Sequence, residues 1–165
     1  MYRSSKYALS AESLNKFSVL FKADSSYPNI TINPIEKETF VDDGFIRNES
    51  TGETIGFDWE IRDKYFANCK FTFDSLGQFE RKIIKPSIEL SIQCDSTQTG
   101  IIVAWHQDWK NEAKVSKKLA TDTYDQDGQV RYTKHFKIYS YKEIKKFKEM
   151  LARAFATKEF NHTIF

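Results

Sequence analysis

Between Ser87 and His106 the chain reads SIELSIQC, then DSTQTG, then IIVAWH. The first piece alternates. Ile88, Leu90 and Ile92 face one way, while Glu89, Ser91 and Gln93 face the other, which is the pattern of a half-buried strand. The last piece is almost wholly apolar, as a central buried strand requires. The six residues between them are too few for a helical crossover, which takes a dozen or more. The two strands must therefore pair antiparallel, and the fold must be built around a sheet.

Helices are expected at both ends of the chain. LSAESLNKFSVLFKAD places Leu14, Phe17, Leu20 and Phe21 on one helical stripe, with Ser10 as the N-cap. Near the C-terminus, Ser140 and Glu143 have the spacing of a capping box, and Tyr139 and Ile144 that of a hydrophobic staple. Ile144, Phe147, Leu151 and Phe155 form the apolar stripe of that helix. Phe45 to Glu49 and Thr54 to Phe66 read as a hairpin turned at Gly52. QDWKNEAKVSKKLA reads as a short helix, and TYDQDGQVRYTKHFKIY as a second hairpin with DQDGQ at its tip. The expected fold is α+β: one domain over residues 1–165, with a largely antiparallel, mixed sheet of about five to seven strands. The N-terminal and C-terminal helices would cover one face and leave part of the other open.

Composition narrows the classes. Fourteen Phe, eight Tyr and three Trp among 165 residues supply a core, and six Gly and three Pro argue against a disordered or fibrous chain. No apolar run approaches the roughly 20 residues that span a bilayer, and MYRSSKYALSAES has no apolar signal region. Cys69 and Cys94 form no CxxC pair and read as free buried thiols, so a cytoplasmic setting without a membrane partner is expected. There is no phosphate-cradling Gly loop and no serine nucleophile elbow, which disfavours ATPase and serine-hydrolase chemistry. His106, His135 and His162 have no zinc-like spacing with the cysteines.

The stretch GFDWEIRDK carries the strongest chemical signal. Phe57, Trp59 and Ile61 alternate with Asp58, Glu60, Arg62 and Lys64, so one strand face would bear two carboxylates and two cations. Asp43 opens the preceding strand, and the hairpin can bring it back toward Asp58 and Glu60. Carboxylates in this arrangement suit Mg²⁺ or Mn²⁺, which take oxygen ligands from one or two carboxylates, water and phosphate. Arg62 or Lys64 could stabilise charge on a phosphodiester. If the SIELSIQC strand pairs with this one, Glu89 becomes a further ligand.

An Asp at a strand start, a hairpin, then an acidic tripeptide on the next strand resembles the PD-(D/E)XK nuclease signature, here over roughly residues 10–65. The resemblance implies a metal-dependent endonuclease of restriction or mobile-element type, with Glu12 on the preceding helix. Asp43 would be the first metal ligand and Glu60 the second, with Arg62 at the lysine position. Read two residues earlier, Asp58 is the acid and Glu60 takes the lysine position.

The ends of the chain differ in charge. Residues 1–100 carry 12 Lys and Arg against 15 Asp and Glu, and residues 101–165 carry 13 against 8. Arg131, Lys134, Lys137, Lys142, Lys145 and Lys146, interleaved with aromatics, would track a phosphate backbone or an acidic protein. His106 and Asp108 flank the end of the buried strand, and His106 is a candidate for a general base or a metal ligand. The competing expectation is a binding module without chemistry, a small phage- or plasmid-type accessory protein that recognises protein or nucleic acid. A homodimer is compatible with either.

Overall fold

The computed structural model describes residues 2–35, 43–112, 115–117 and 129–165. In chain order the elements are α1 (Tyr2–Ala23), β1 (Ile30–Pro34), β2 (Gly44–Asn48), β3 (Thr54–Ile61), β4 (Phe66–Ala67), β5 (Lys70–Phe71), β6 (Leu76–Phe79) and α2 (Glu80–Ile83). There follow β7 (Leu90–Cys94), β8 (Gly100–Trp105), α3 (His106–Lys110), β9 (Val115–Lys117), β10 (Gln129–Thr133), β11 (Lys137–Ser140) and α4 (Ile144–Thr157). The fold is α+β, and its main sheet has six strands in the order β1-β2-β3-β7-β8-β11.

The pairing of β7 with β8 is antiparallel, with Leu90 opposite Trp105 and Cys94 opposite Ile101, as the short loop demands. Asp95 shapes that loop by accepting the N–H groups of Cys69 and Thr99 at 2.7 Å each. The β2–β3 hairpin turns at Gly52, whose φ of 78° lies in the left-handed region that glycine adopts without strain. Its second strand is shorter than the alternation implies. It ends at Ile61, and Lys64 lies in an exposed bend beyond it.

β3 pairs with β7 in parallel, with Asp58 beside Ser91. Residues 62–89 are the crossover that makes this possible, and they carry the two-stranded β4–β5 ribbon, β6 and α2. The approach is tight at Gly56, where an added Cβ would stand 2.0 Å from the Ser87 carbonyl oxygen. Only glycine lets the two backbones come this close.

α1 and α4 lie against the face of the sheet that carries Phe57, Trp59, Leu90, Ile92, Val103 and Trp105. Phe17 and Phe21 of α1 pack edge-on or tilted against Phe147 of α4, and Phe17 against Trp59. α1 begins at Tyr2, so Ser10 lies within the helix and is not its cap; its carbonyl accepts the Ser13 hydroxyl. The Ser140–Glu143 capping box is present, and it opens a single 3₁₀ turn (Tyr141–Glu143) that leads into α4. Lys148 of α4, buried, donates to the Asp24 and Ser26 carbonyls and so ties α4 to the end of α1.

The opposite face is more covered than expected. Phe66, Leu76, Ile83, Ile102, Ala104 and Trp109 form a second apolar cluster there, and the three-stranded sheet β6-β10-β9 belongs to this layer. Trp109 fixes it by donating its indole N–H to the Leu76 carbonyl at 2.9 Å. Of the short helix expected over QDWKNEAKVSKKLA only the start is helical, as the five-residue α3, and Val115–Lys117 is the strand β9. The strand expected before the tip of the second hairpin lies outside the described residues, and the one expected after it is divided into β10 and β11. β10 pairs with β9 and β6, while β11 joins β8, and most of the DQDGQ tip lies outside the described residues. Both cysteines are free, and burial pushes the Cys94 thiol up to about 11. Among the described residues no helix is long and apolar enough to cross a membrane.

Candidate functional site

Strand register builds a polar patch on the second face of the main sheet. Gly44 stands opposite Phe57, so Asp43, one residue earlier, falls opposite Asp58. Asp58 is beside Ser91, and Ser91 is opposite Ala104. Side chains in register across neighbouring strands share a face. The row is therefore Asp43, Asp58, Ser91, Ala104, with Glu60 and Gln93 one step to one side and Gly56 and Glu89 one step to the other. His106 follows β8 on the Glu89 side, and its N–H donates to the Glu89 carbonyl at 2.8 Å.

The members of this patch differ in how well they are satisfied. Asp43 accepts the Trp59 N–H at 2.7 Å. Burial pushes its carboxyl above the ordinary value; the Trp59 hydrogen bond opposes this, and the fields of Asp58 and Glu60 reinforce it. Glu60 accepts from Lys82 of α2 and from the Gln78 side chain of β6. Burial works against ionisation of Glu60, but Lys82, Gln78 and Arg62 outweigh it and hold the carboxyl below its ordinary value. Lys82 is the counterpart: burial opposes its charge, and Glu60 and Asp58 overcome that and raise its pKa.

Asp58 is different. It is 6 % exposed, and neither carboxyl oxygen accepts a hydrogen bond from the described residues. Beside it the Ser91 hydroxyl and both ring nitrogens of His106 are also buried and without hydrogen-bond partners among the described residues. Asp95, equally buried, has its oxygens taken by four donors.

No protein-family model and no curated protein matches this chain.

The residues singled out from sequence divide three ways. Asp43, Asp58 and Glu60 lie on one sheet face within one another's electrostatic reach. Among the described residues, however, no three His, Cys, Asp or Glu side chains form a ready-made metal cage. Glu89 uses Oε2 to accept the Gly56 N–H at 2.8 Å, so it braces the β3–β7 seam. Arg62 stays near Glu60 but is engaged by Gln93 at 2.9 Å and lies 5.1 Å from the Phe71 ring centroid. Lys64 is beyond the strand and is not on its face.

In the C-terminal basic set, Lys134, Lys137, Lys142, Lys145 and Lys146 are exposed, with Lys146 paired to Glu143. Arg131 is not available to a partner. It forms a two-pronged ion pair with Glu80 and donates to backbone carbonyls at the end of α3. Glu12 is exposed on α1, away from the patch.

Lys82 and Gln78 carry no signal in the sequence. Both arrive from the crossover, which has no periodicity, and only the parallel β3–β7 pairing brings them over Glu60.

Proposed function

We propose that the chain is a metal-dependent phosphodiesterase of nuclease type, acting on DNA. The observation that carries this reading is Asp58: a buried carboxylate, unsatisfied on both oxygens, flanked on its sheet face by Asp43 and Glu60 and within the field of Lys82. A buried carboxyl group that accepts no hydrogen bond from the described residues is costly. A divalent cation would relieve that cost, which supports a reading with Mg²⁺ or Mn²⁺ at this patch.

Asp58 and Asp43 would hold the ion, with Glu60 at the rim. The small number of protein ligands suits an ion that keeps waters and takes substrate phosphate oxygens. When bound, such an ion lowers the pKa of a coordinated water and neutralises phosphodiester charge. Lys82, held charged by Glu60 and Asp58, would stabilise negative charge developing on the scissile phosphate. It takes the part that the sequence pattern gave to Arg62 or Lys64. The exposed lysines of β11 and α4 belong to the other side of the sheet, where Lys137 stands in register with Val103, and so do not flank this patch.

The test is cleavage of supercoiled plasmid in Mg²⁺ or Mn²⁺ by the full chain. Asp58→Asn is expected to lower the rate by about a hundredfold or more, with its melting temperature kept. Equal cleavage by the wild type and by Asp58→Asn and Glu60→Ala would assign the activity to a contaminant.

One observation favours a second reading. Glu60 already has Lys82 and Gln78 as partners, an arrangement that also serves a binding module without chemistry. Metal-independent DNA or protein binding, with no cleavage in either ion, would select it.

A further inference from the structure

We propose that an aromatic platform on the β4–β5 ribbon binds single-stranded DNA by stacking on its unpaired bases. It rests on the nuclease reading above for DNA as the partner, though not for cleavage, and adds the form of DNA that is held.

The platform starts at Arg62, beside the acidic patch. Its Nη1 donates to Gln93 at 2.9 Å, and its guanidinium lies 5.1 Å from the Phe71 ring centroid. Phe71 meets Phe73 edge-on at 5.8 Å, and Phe73 meets Tyr65 edge-on at 5.1 Å. The inner ring is held by the core, because Phe71 packs against Phe66 of the second apolar cluster. The outer two are not: Tyr65 is 58 % exposed and Phe73 48 %. Adjacent large apolar groups left in water mark an interaction surface.

The chain holds these rings outward at a cost. Tyr65 has a φ of 65°, a conformation that a bulky residue rarely adopts. Its carbonyl accepts both the N–H and the hydroxyl of Thr72, at 3.1 and 3.2 Å. Strain kept in place by two hydrogen bonds marks a fixed surface rather than a loose loop.

What fits the surface follows from the cations among its rings. Lys64 and Lys70 are exposed on the same ribbon. Further along, Tyr132 is near Arg62 and its ring lies against Gly77, where an added Cβ would meet it at 2.9 Å. Two residues on, the exposed Arg81 places its guanidinium 5.6 Å from the Phe79 ring centroid. Rings interleaved with cations match a single strand, whose bases stack while its phosphates take the positive charge. A duplex does not fit in this way, because its bases already stack on one another. Asp63 and Asp74 are exposed on the same segment and offset part of the charge, so stacking carries the binding. Negative supercoiling favours unpaired stretches of this kind in plasmid DNA.

Fluorescence anisotropy of the full chain with a labelled oligo(dT) strand about 15 nucleotides long tests this. The titration is run in EDTA, so neither metal nor cleavage enters. The strand is expected to bind at least about tenfold tighter than a duplex of equal length, and Tyr65→Ala and Phe73→Ala should each weaken it about tenfold. Tyr65→Phe should keep the affinity. Photocrosslinking of the wild type to a strand containing 4-thiothymidine should place the adduct on Tyr65 or Phe73, and it reads the surface even where a variant does not fold. No strand binding, equal affinity for the duplex, or adducts confined to the C-terminal lysines would overturn the inference. Self-association that is lost in Phe73→Ala, without strand binding, would also overturn it and make this face a contact between copies of the chain. Metal-dependent plasmid cleavage without strand binding would sink this inference and leave the nuclease standing. Strand binding without cleavage in either ion would uphold the platform and sink the nuclease reading.

Discussion

Breaking the Lys82–Glu60 pair is the most informative perturbation of this fold. The two side chains are 23 % and 30 % exposed, so they sit between the usual extremes. An exposed pair contributes about 0–1 kcal/mol, and removing one partner of a fully buried pair costs about 3–5 kcal/mol. Lys82→Met leaves Glu60 with Gln78 and the nearby Arg62, which softens the loss. The expected cost is about 2 kcal/mol. At a urea slope of about 2 kcal/mol/M this moves the midpoint down by about 1 M.

Glu60→Gln and the double variant complete a cycle, with an expected coupling of about 1–2 kcal/mol near neutral pH. The pH dependence has a definite sign. Glu60 is depressed below the ordinary glutamate value of 4.5, so its share is present above that value and is lost as pH falls through the folded pKa. Lys82 is raised above 10.5, so its share is present below that value and is lost as pH rises through the folded pKa. The coupling should therefore be flat between those values and fall off outside them. A neutral-pH coupling under about 0.5 kcal/mol would refute the claim that burial makes this pair matter.

Two further substitutions probe the frame around the site. Gly56→Ala must push a Cβ against the Ser87 carbonyl, and should cost about 3 kcal/mol by thermal melting, with β3–β7 amides losing exchange protection first. Lys148→Met keeps much of the side-chain bulk but leaves the Asp24 and Ser26 carbonyls without their donor; a loss of about 1–3 kcal/mol in urea unfolding is expected.

What was legible in the sequence was local. Alternation placed Asp58 and Glu60 on one face of β3 and Phe57 and Trp59 on the other. The six-residue loop made β7 and β8 antiparallel, and the Ser140–Glu143 box marked the approach to α4. What was hidden was non-local. α1 extends to Tyr2 through YRSSKYALS, a stretch without an apolar stripe, so Ser10 looked like its start. Arg131 looked like surface charge because nothing nearby in sequence announces Glu80. The parallel pairing of β3 with β7 was masked because its crossover is broken into short pieces. Lys82 could be assigned to Glu60 only once that crossover was closed.

The seam between β3 and β7 also divides the polar patch by origin. Asp43, Asp58 and Glu60 belong to one hairpin, while Ser91 and His106 belong to the unit formed by β7 and β8. Each unit needs only short-range contacts, which are quick to close. Joining them requires closure over residues 62–89, and such long-range pairing is slow. The patch is thus complete only once that closure has been made. Until the two units meet, the Asp58 side chain is open to water, and its burial arises only with the finished sheet.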